Sequence, residues 1–226
     1  MLILLPPSEG KNPSPGTGSF REAHPELIQD TTGVLEALLA WDNAAAVKGY
    51  KIQDEAKALA VHQRNLGVLD APVLPALERY AGVVYGHLGL DKPVLRKRAG
   101  KRVLIVSGLF GLIGGETAIP DYKLPLAPWL ARYWKPVNSA RLTKLAKGKP
   151  VLDLLPKSHA GALEDDRRIA VDFRVAGGAK AAGHFGKAIK GRFVRWLLEH
   201  NVRDTGRFGE FQEDGYRWDG TNFVQD

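Results

Sequence analysis

The chain of 226 residues contains no cysteine and a single methionine, Met1. Without cysteine there is no disulfide, no thiolate nucleophile and no thiolate metal ligand. A thiol peroxidase and a thiol redox sensor are therefore excluded, and one methionine leaves almost no sulfur to oxidise. No apolar run approaches the roughly 20 residues that a membrane-spanning helix needs. The apolar opening, Met1 to Leu5, stops at Pro6-Pro7. It has no basic flank and no small-residue cleavage site, so it reads as a buried strand and not as a secretion signal. A soluble, cytoplasmic protein with no membrane contact is expected. The six histidines (24, 62, 87, 159, 184 and 200) are scattered, with no H-E-x-x-H spacing. No metal and no cofactor are expected, and iron storage lacks a ligand cluster. A Ser-centred G-x-S-x-G elbow, a P-loop and a G-x-G-x-x-G fingerprint are all missing.

What is present is an apolar share of 44%, enough for one sizeable core. There is no internal repeat, low-complexity tract or linker, so one domain across 1–226 is expected. Leu2 to Leu5, Val103 to Ser107 and Val151 to Leu155 are short apolar runs bounded by turn residues, the pattern of strands covered on both faces. Helical spacing follows Pro25, through Leu27, Val34, Leu35, Leu38 and Leu39. It recurs over Ile52 to Leu66, Leu74 to Leu88 and Trp129 to Leu145. Ile169 to Val175 alternates like a strand, Gly177-Gly178 supplies a turn, and Gly186 to His200 is a helix. Two Asp-Gly signals among the aromatics of Phe211 to Phe223 mark a C-terminal β-hairpin. The expectation is an α/β protein with a compact mixed sheet and surrounding helices.

Positive charge is in excess, +7 overall. Such an excess attracts polyanions where it is concentrated. One concentration is Lys92 to Arg102, which reads as an exposed loop before a strand. The other is Lys180 to Arg195, carrying Lys180, Lys187, Lys190, Arg192 and Arg195 without an acid. A third feature, Lys48-Gly49-Tyr50-Lys51, joins two helices. A glycine hairpin of this kind can aim backbone N–H groups at a phosphate, although an ordinary helix connection has the same composition.

Strand-end loops are where ligands bind in open α/β sheets. The loop after the first strand presents Ser8, Glu9 and Lys11. The second strand ends at Ser107, followed by the glycine-rich Gly108 to Gly115, which suits tight packing turns.

Several blocks, taken in order, resemble the YaaA peroxide stress family, a UPF0246-type family. They are Leu2-Ile-Leu-Leu-Pro-Pro-Ser-Glu-Gly-Lys11, Tyr85-Gly86, Ser107-Gly-Leu-Phe-Gly111, Asp121-Tyr-Lys-Leu124, Tyr133-Trp134 and the block from Phe185 to Glu199. The opening block marks a divergent branch. The resemblance implies a YaaA-like fold with a basic cleft, a helix-hairpin-helix-like element that binds double-stranded DNA, and a role in limiting oxidative damage. It brings no catalytic residues.

Two functional readings follow. In the first, Lys48, Gly49, Lys51, Lys187, Lys190, Arg192 and Arg195 contact the phosphates of double-stranded DNA. In the second, Ser8, Glu9, Lys11, Ser107, Tyr122, Lys123 and Lys187, with Tyr85, form an enzyme site for an anionic small molecule, phosphorylated or nucleobase-like. A basic surface that meets an acidic protein is a third. With no thiol available, any protection against peroxide is indirect.

Overall fold

The computed structural model describes residues 1–175, 179, 181 and 183–225. The turn expected at Gly177-Gly178 and the cation Lys180 lie outside the described residues. The main sheet contains β1 (Leu2–Leu5), β3 (Val103–Ser107), β4 (Gly111–Gly114), β6 (Val151–Asp153) and β7 (Arg168–Ala170). Its order is β4-β3-β1-β6-β7. A second sheet combines β8 (Phe173–Arg174), β9 (Tyr216–Trp218) and β10 (Phe223–Gln225), and a third pairs β2 (Leu74–Pro75) with β5 (Ala118–Ile119). The longer helices are α1 (Ile28–Leu39), α2 (Asn43–Tyr50), α3 (Glu55–Leu66), α4 (Pro93–Arg102), α5 (Pro128–Ala146) and α6 (Gly183–Glu199). This is the mixed α/β fold that the apolar runs predict.

Every residue of β1 and β3 is buried, as their unbroken apolar sequences require. β1 pairs in parallel with β3 on one side and with β6 on the other, and β7 continues parallel to β6. The carboxyl ends of these strands therefore lie along one edge of the sheet. After β1 the chain goes first to β3 on one side and later to β6 on the other, which opens a crevice at the end of β1. β4 returns antiparallel to β3 through a tight turn. Gly111 occupies φ +66°, and a Cβ there would stand 2.6 Å from both Trp134 and Asn138. The glycine-rich turn thus serves packing.

The C-terminal hairpin forms as expected, with β9 antiparallel to β10. Its aromatics interlock with α6: Phe173 stacks on Phe223 at 4.9 Å, and Phe193 meets Phe223 edge-on at 4.8 Å. Such pairs add to the free energy of area burial.

Three expectations need correction. Lys92 to Arg102 is a helix, α4, because Leu95 and Ala99 bury one side and Arg102 is itself buried. Leu74 to Leu88 is not one helix. It breaks into β2 and two single turns, Ala76–Arg79 and Val83–Gly86, because Tyr80 is extended and Gly82 packs under Ser8. Ile169 to Val175 is not one strand: β7 and β8 belong to different sheets, with Val171-Asp172 between them.

A candidate anion-binding active site

The loop after β1 is fixed from several directions. Tyr85 donates to the Pro6 carbonyl at 2.8 Å, and the buried Arg79 donates to the carbonyls of Asn12 (2.6 Å) and Ser14 (2.8 Å). Lys11 bridges to Tyr80 in antiparallel fashion. A Cβ on Gly82 would stand 2.0 Å from Ser8 Oγ, so only glycine lets the Ser8 loop close down here. The result is a cleft of about 590 Å³ at the carboxyl end of the sheet. Ser8, Glu9, Lys11, Tyr122, Lys123 and Lys187 all line it, with Tyr85 and Lys51.

Tyr122 makes part of the floor. Its hydroxyl lies 2.7 Å from that of Tyr80 and 2.8 Å from Ser107 Oγ. Ser107 in turn accepts the N–H groups of Leu109 and Phe110, both at 3.1 Å. Ser107 therefore supports the site from beneath and does not face the cleft. Burial pushes the Tyr122 hydroxyl up to about 12 and that of Tyr80 well above its ordinary value. Both rings thus present neutral phenols.

The Lys11 ammonium lies 4.3 Å from the centroid of the Tyr122 ring and 5.6 Å from that of Tyr80. Its Nζ donates to the Ser8 carbonyl at 3.0 Å. Among the described residues no carboxylate pairs directly with it. Burial, only partly offset by Asp121 across the loop, lowers its pKa to about 8.

Lys123 is held at its backbone by Asn65, whose side chain donates to its carbonyl (2.8 Å) and accepts from its N–H (3.1 Å). Its Nζ meets Glu9 at 3.3 Å. Lys187, on the first turns of α6, is exposed and has no ion-pair partner among the described residues. Lys51 follows α2 with φ +56° and also turns to the cleft.

The turn after β6 adds Ser158 and His159, which sequence reasoning missed. His159 Nδ1 lies 3.0 Å from Ser158 Oγ, and burial lowers the imidazole to about 4. The signal was available: Pro156 to His159 is the strand-end loop of β6, on the same edge as Ser8.

The other cations proposed for phosphate contact are placed differently. Lys190 donates to the Leu154 carbonyl at 3.1 Å, Arg192 pairs with Asp214 at 2.6 Å, and Arg195 pairs with Glu199 at 3.0 Å. Lys48 is exposed on α2. Gly49 lies within the last turn of α2, where a Cβ would stand 2.2 Å from the Trp41 ring. Its missing side chain accommodates that ring, and the connection between α2 and α3 runs instead from Lys51 to Asp54.

Among the described residues no helix is long and apolar enough to cross a membrane. By sequence, residues 1–222 match the family described as Peroxide stress protein YaaA. A UPF0246 protein of Streptomyces coelicolor is 33% identical, over 91% of this chain and 86% of that one. One from Corynebacterium glutamicum is 31% identical over 90% and 89%, and one from Ligilactobacillus salivarius is 24% identical over 97% and 94%. The chain therefore belongs to the peroxide stress protein YaaA family.

Proposed function

We propose that the cleft is an enzyme active site for an anionic small molecule, and that the protein serves peroxide stress indirectly, through that ligand. The observation that carries this reading is the convergence of Ser8, Glu9, Lys11, Tyr122, Lys123 and Lys187 on one cavity of about 590 Å³, within the size range of small-molecule sites. Lys51, Lys123 and Lys187 supply charge for a phosphate or carboxylate, and Glu9 and His159 are placed to move protons. Leu124, Pro125 and Leu126 give the cavity an apolar wall.

Binding of double-stranded nucleic acid is the second reading. The exposed Lys48 and Lys51, at the end of α2 before the turn into α3, favour it. Calorimetric titration separates the two. Inorganic pyrophosphate is expected to bind at one site in low salt, and Lys123→Gln to weaken it roughly ten-fold, the loss of one charge-assisted contact. Lys48→Ala should leave pyrophosphate binding unchanged. No pyrophosphate binding, together with duplex DNA affinity that falls in Lys48→Ala, would overturn the small-molecule reading.

A further inference from the structure

We propose that Lys11 is a covalent nucleophile that forms an imine with an aldehyde or ketone carried by the anionic ligand. The inference rests on the reading of the cleft as an anion site and adds the reacting group. Four features of geometry support it. Lys11 reaches the cleft from a loop whose backbone is clamped by Arg79 and by the bridge to Tyr80. Its amine lies against the Tyr122 ring with one hydrogen bond, to the Ser8 carbonyl, which leaves an open side toward the cleft. No carboxylate pairs with it directly among the described residues, unlike Lys123, which meets Glu9. Asp121, the nearby acid opposite the loop, is paired with Arg64 at 2.7 Å.

Desolvation then makes a neutral amine available near neutral pH, the usual route to imine-forming lysines. The chemistry balances without an external oxidant or reductant. The Nζ lone pair attacks the carbonyl carbon, the C–N bond forms, and the carbonyl oxygen takes up a proton to give a carbinolamine. One nitrogen proton passes to a base as the carbinolamine forms. Protonation of the hydroxyl then expels it as water and leaves the protonated imine, which gives up the second nitrogen proton to become the imine. Glu9 and His159 line the same cleft and are the groups available to carry these protons. Lys51, Lys123 and Lys187 would hold the anionic end of the molecule.

Pyridoxal 5′-phosphate serves as an anionic aldehyde probe, with cyanoborohydride to fix imines and peptide mass spectrometry to locate them. Lys11 should acquire the reduced adduct about ten-fold faster than the exposed Lys48 and Lys57, because an ordinary lysine is almost wholly protonated at pH 8. The labelling rate of Lys11 should rise through a pH of about 8. Lys11→Arg, which keeps the charge, should abolish the cleft adduct while pyridoxine 5′-phosphate, the same phosphate without an aldehyde, still binds. Labelling of Lys11 no faster than Lys48 overturns the proposal. If pyridoxine 5′-phosphate nevertheless binds, the anion cleft stands and only the imine falls. If it does not bind and Lys11 reacts only with an uncharged aldehyde, the anionic substrate falls instead.

Discussion

Arg79, Arg98 and Arg102 belong to the same surplus of positive charge as Lys51, Lys123 and Lys187, yet the two sets have opposite surroundings. Arg102 is buried and donates to the carbonyls of Met1 (3.2 Å), Leu197 (3.2 Å) and Val202 (2.5 Å). Arg98 donates to Leu198 (2.6 Å) and Glu199 (2.9 Å) at the end of α6, where a cation satisfies terminal carbonyls and the helix dipole together. These guanidiniums bind the chain to itself. The cleft lysines instead line a cavity in which Glu9 is the only acid among the described lining residues. A charge count cannot separate the two sets, because both contribute equally to +7. What separates them is whether backbone carbonyls or open space surround the charge.

The largest effect that would break this contrast is on stability. Arg102→Ala removes a donor from the Met1 and Val202 carbonyls and one of the two donors of the Leu197 carbonyl, which also accepts the Val202 N–H. Each buried acceptor left unpaired costs about 1–3 kcal/mol. A total loss of about 3–5 kcal/mol is expected in urea unfolding, with pyrophosphate affinity of the folded fraction unchanged. A loss below about 1 kcal/mol would show that Arg102 is no more structural than a surface cation.

The opposite sign is expected at the cleft. In the folded protein Lys11 has a pKa of about 8, against an ordinary 10.5. Between those values the unfolded chain binds more protons, so stability rises with pH across that window. Below pH 8 the full cost of desolvating the ammonium is present; above pH 10.5 it is gone. Lys11→Met places an apolar side chain on the Tyr122 ring and should stabilise the protein by about 1–2 kcal/mol at pH 7, while abolishing any Lys11 adduct. The gain should disappear near pH 10.5, as thermal melts across pH would show. A variant less stable than wild type at pH 7 would mean that the ammonium's contacts with the Ser8 carbonyl and the tyrosine rings outweigh its desolvation cost.

The sequence carries part of this contrast. Unbroken apolar runs placed β1, β3 and β6, and the strand-end rule then selected Ser8, Glu9 and Lys11, because a parallel sheet gathers its loops on one edge. That Tyr122 and Lys123 share the cleft with the β1 loop depends on Asn65 clamping their segment, a contact 58 residues apart that no local pattern encodes. The basic α6 was legible as a helix but not as a set of ion pairs. Asp214, the partner of Arg192, lies in the C-terminal hairpin and becomes a neighbour only when the aromatic cluster folds. Gly49 is a related case. A glycine beside lysines looks like a turn, whereas the Trp41 ring that occupies the space of its side chain is fixed by tertiary packing.

The smallest change in stability gives the sharpest comparison, since Lys187 and Arg192 stand five positions apart on one helix. Arg192 pairs with Asp214 at 2.6 Å, and both groups are about 30% exposed. Such a pair contributes at most about 1 kcal/mol, so Arg192→Ala should shift unfolding by no more than that. Lys187 is exposed and has no ion-pair partner among the described residues, and Lys187→Ala should change stability by less than about 0.5 kcal/mol. The order reverses for ligand. Lys187→Ala should weaken pyrophosphate binding roughly ten-fold and flatten its salt dependence, whereas Arg192→Ala should do neither. Equal losses of affinity in the two variants would mean that the whole basic face of α6 attracts anions through its long-range field. The cleft would then have no special claim on Lys187, and a polyanion lying along the helix would replace the small molecule as the natural ligand.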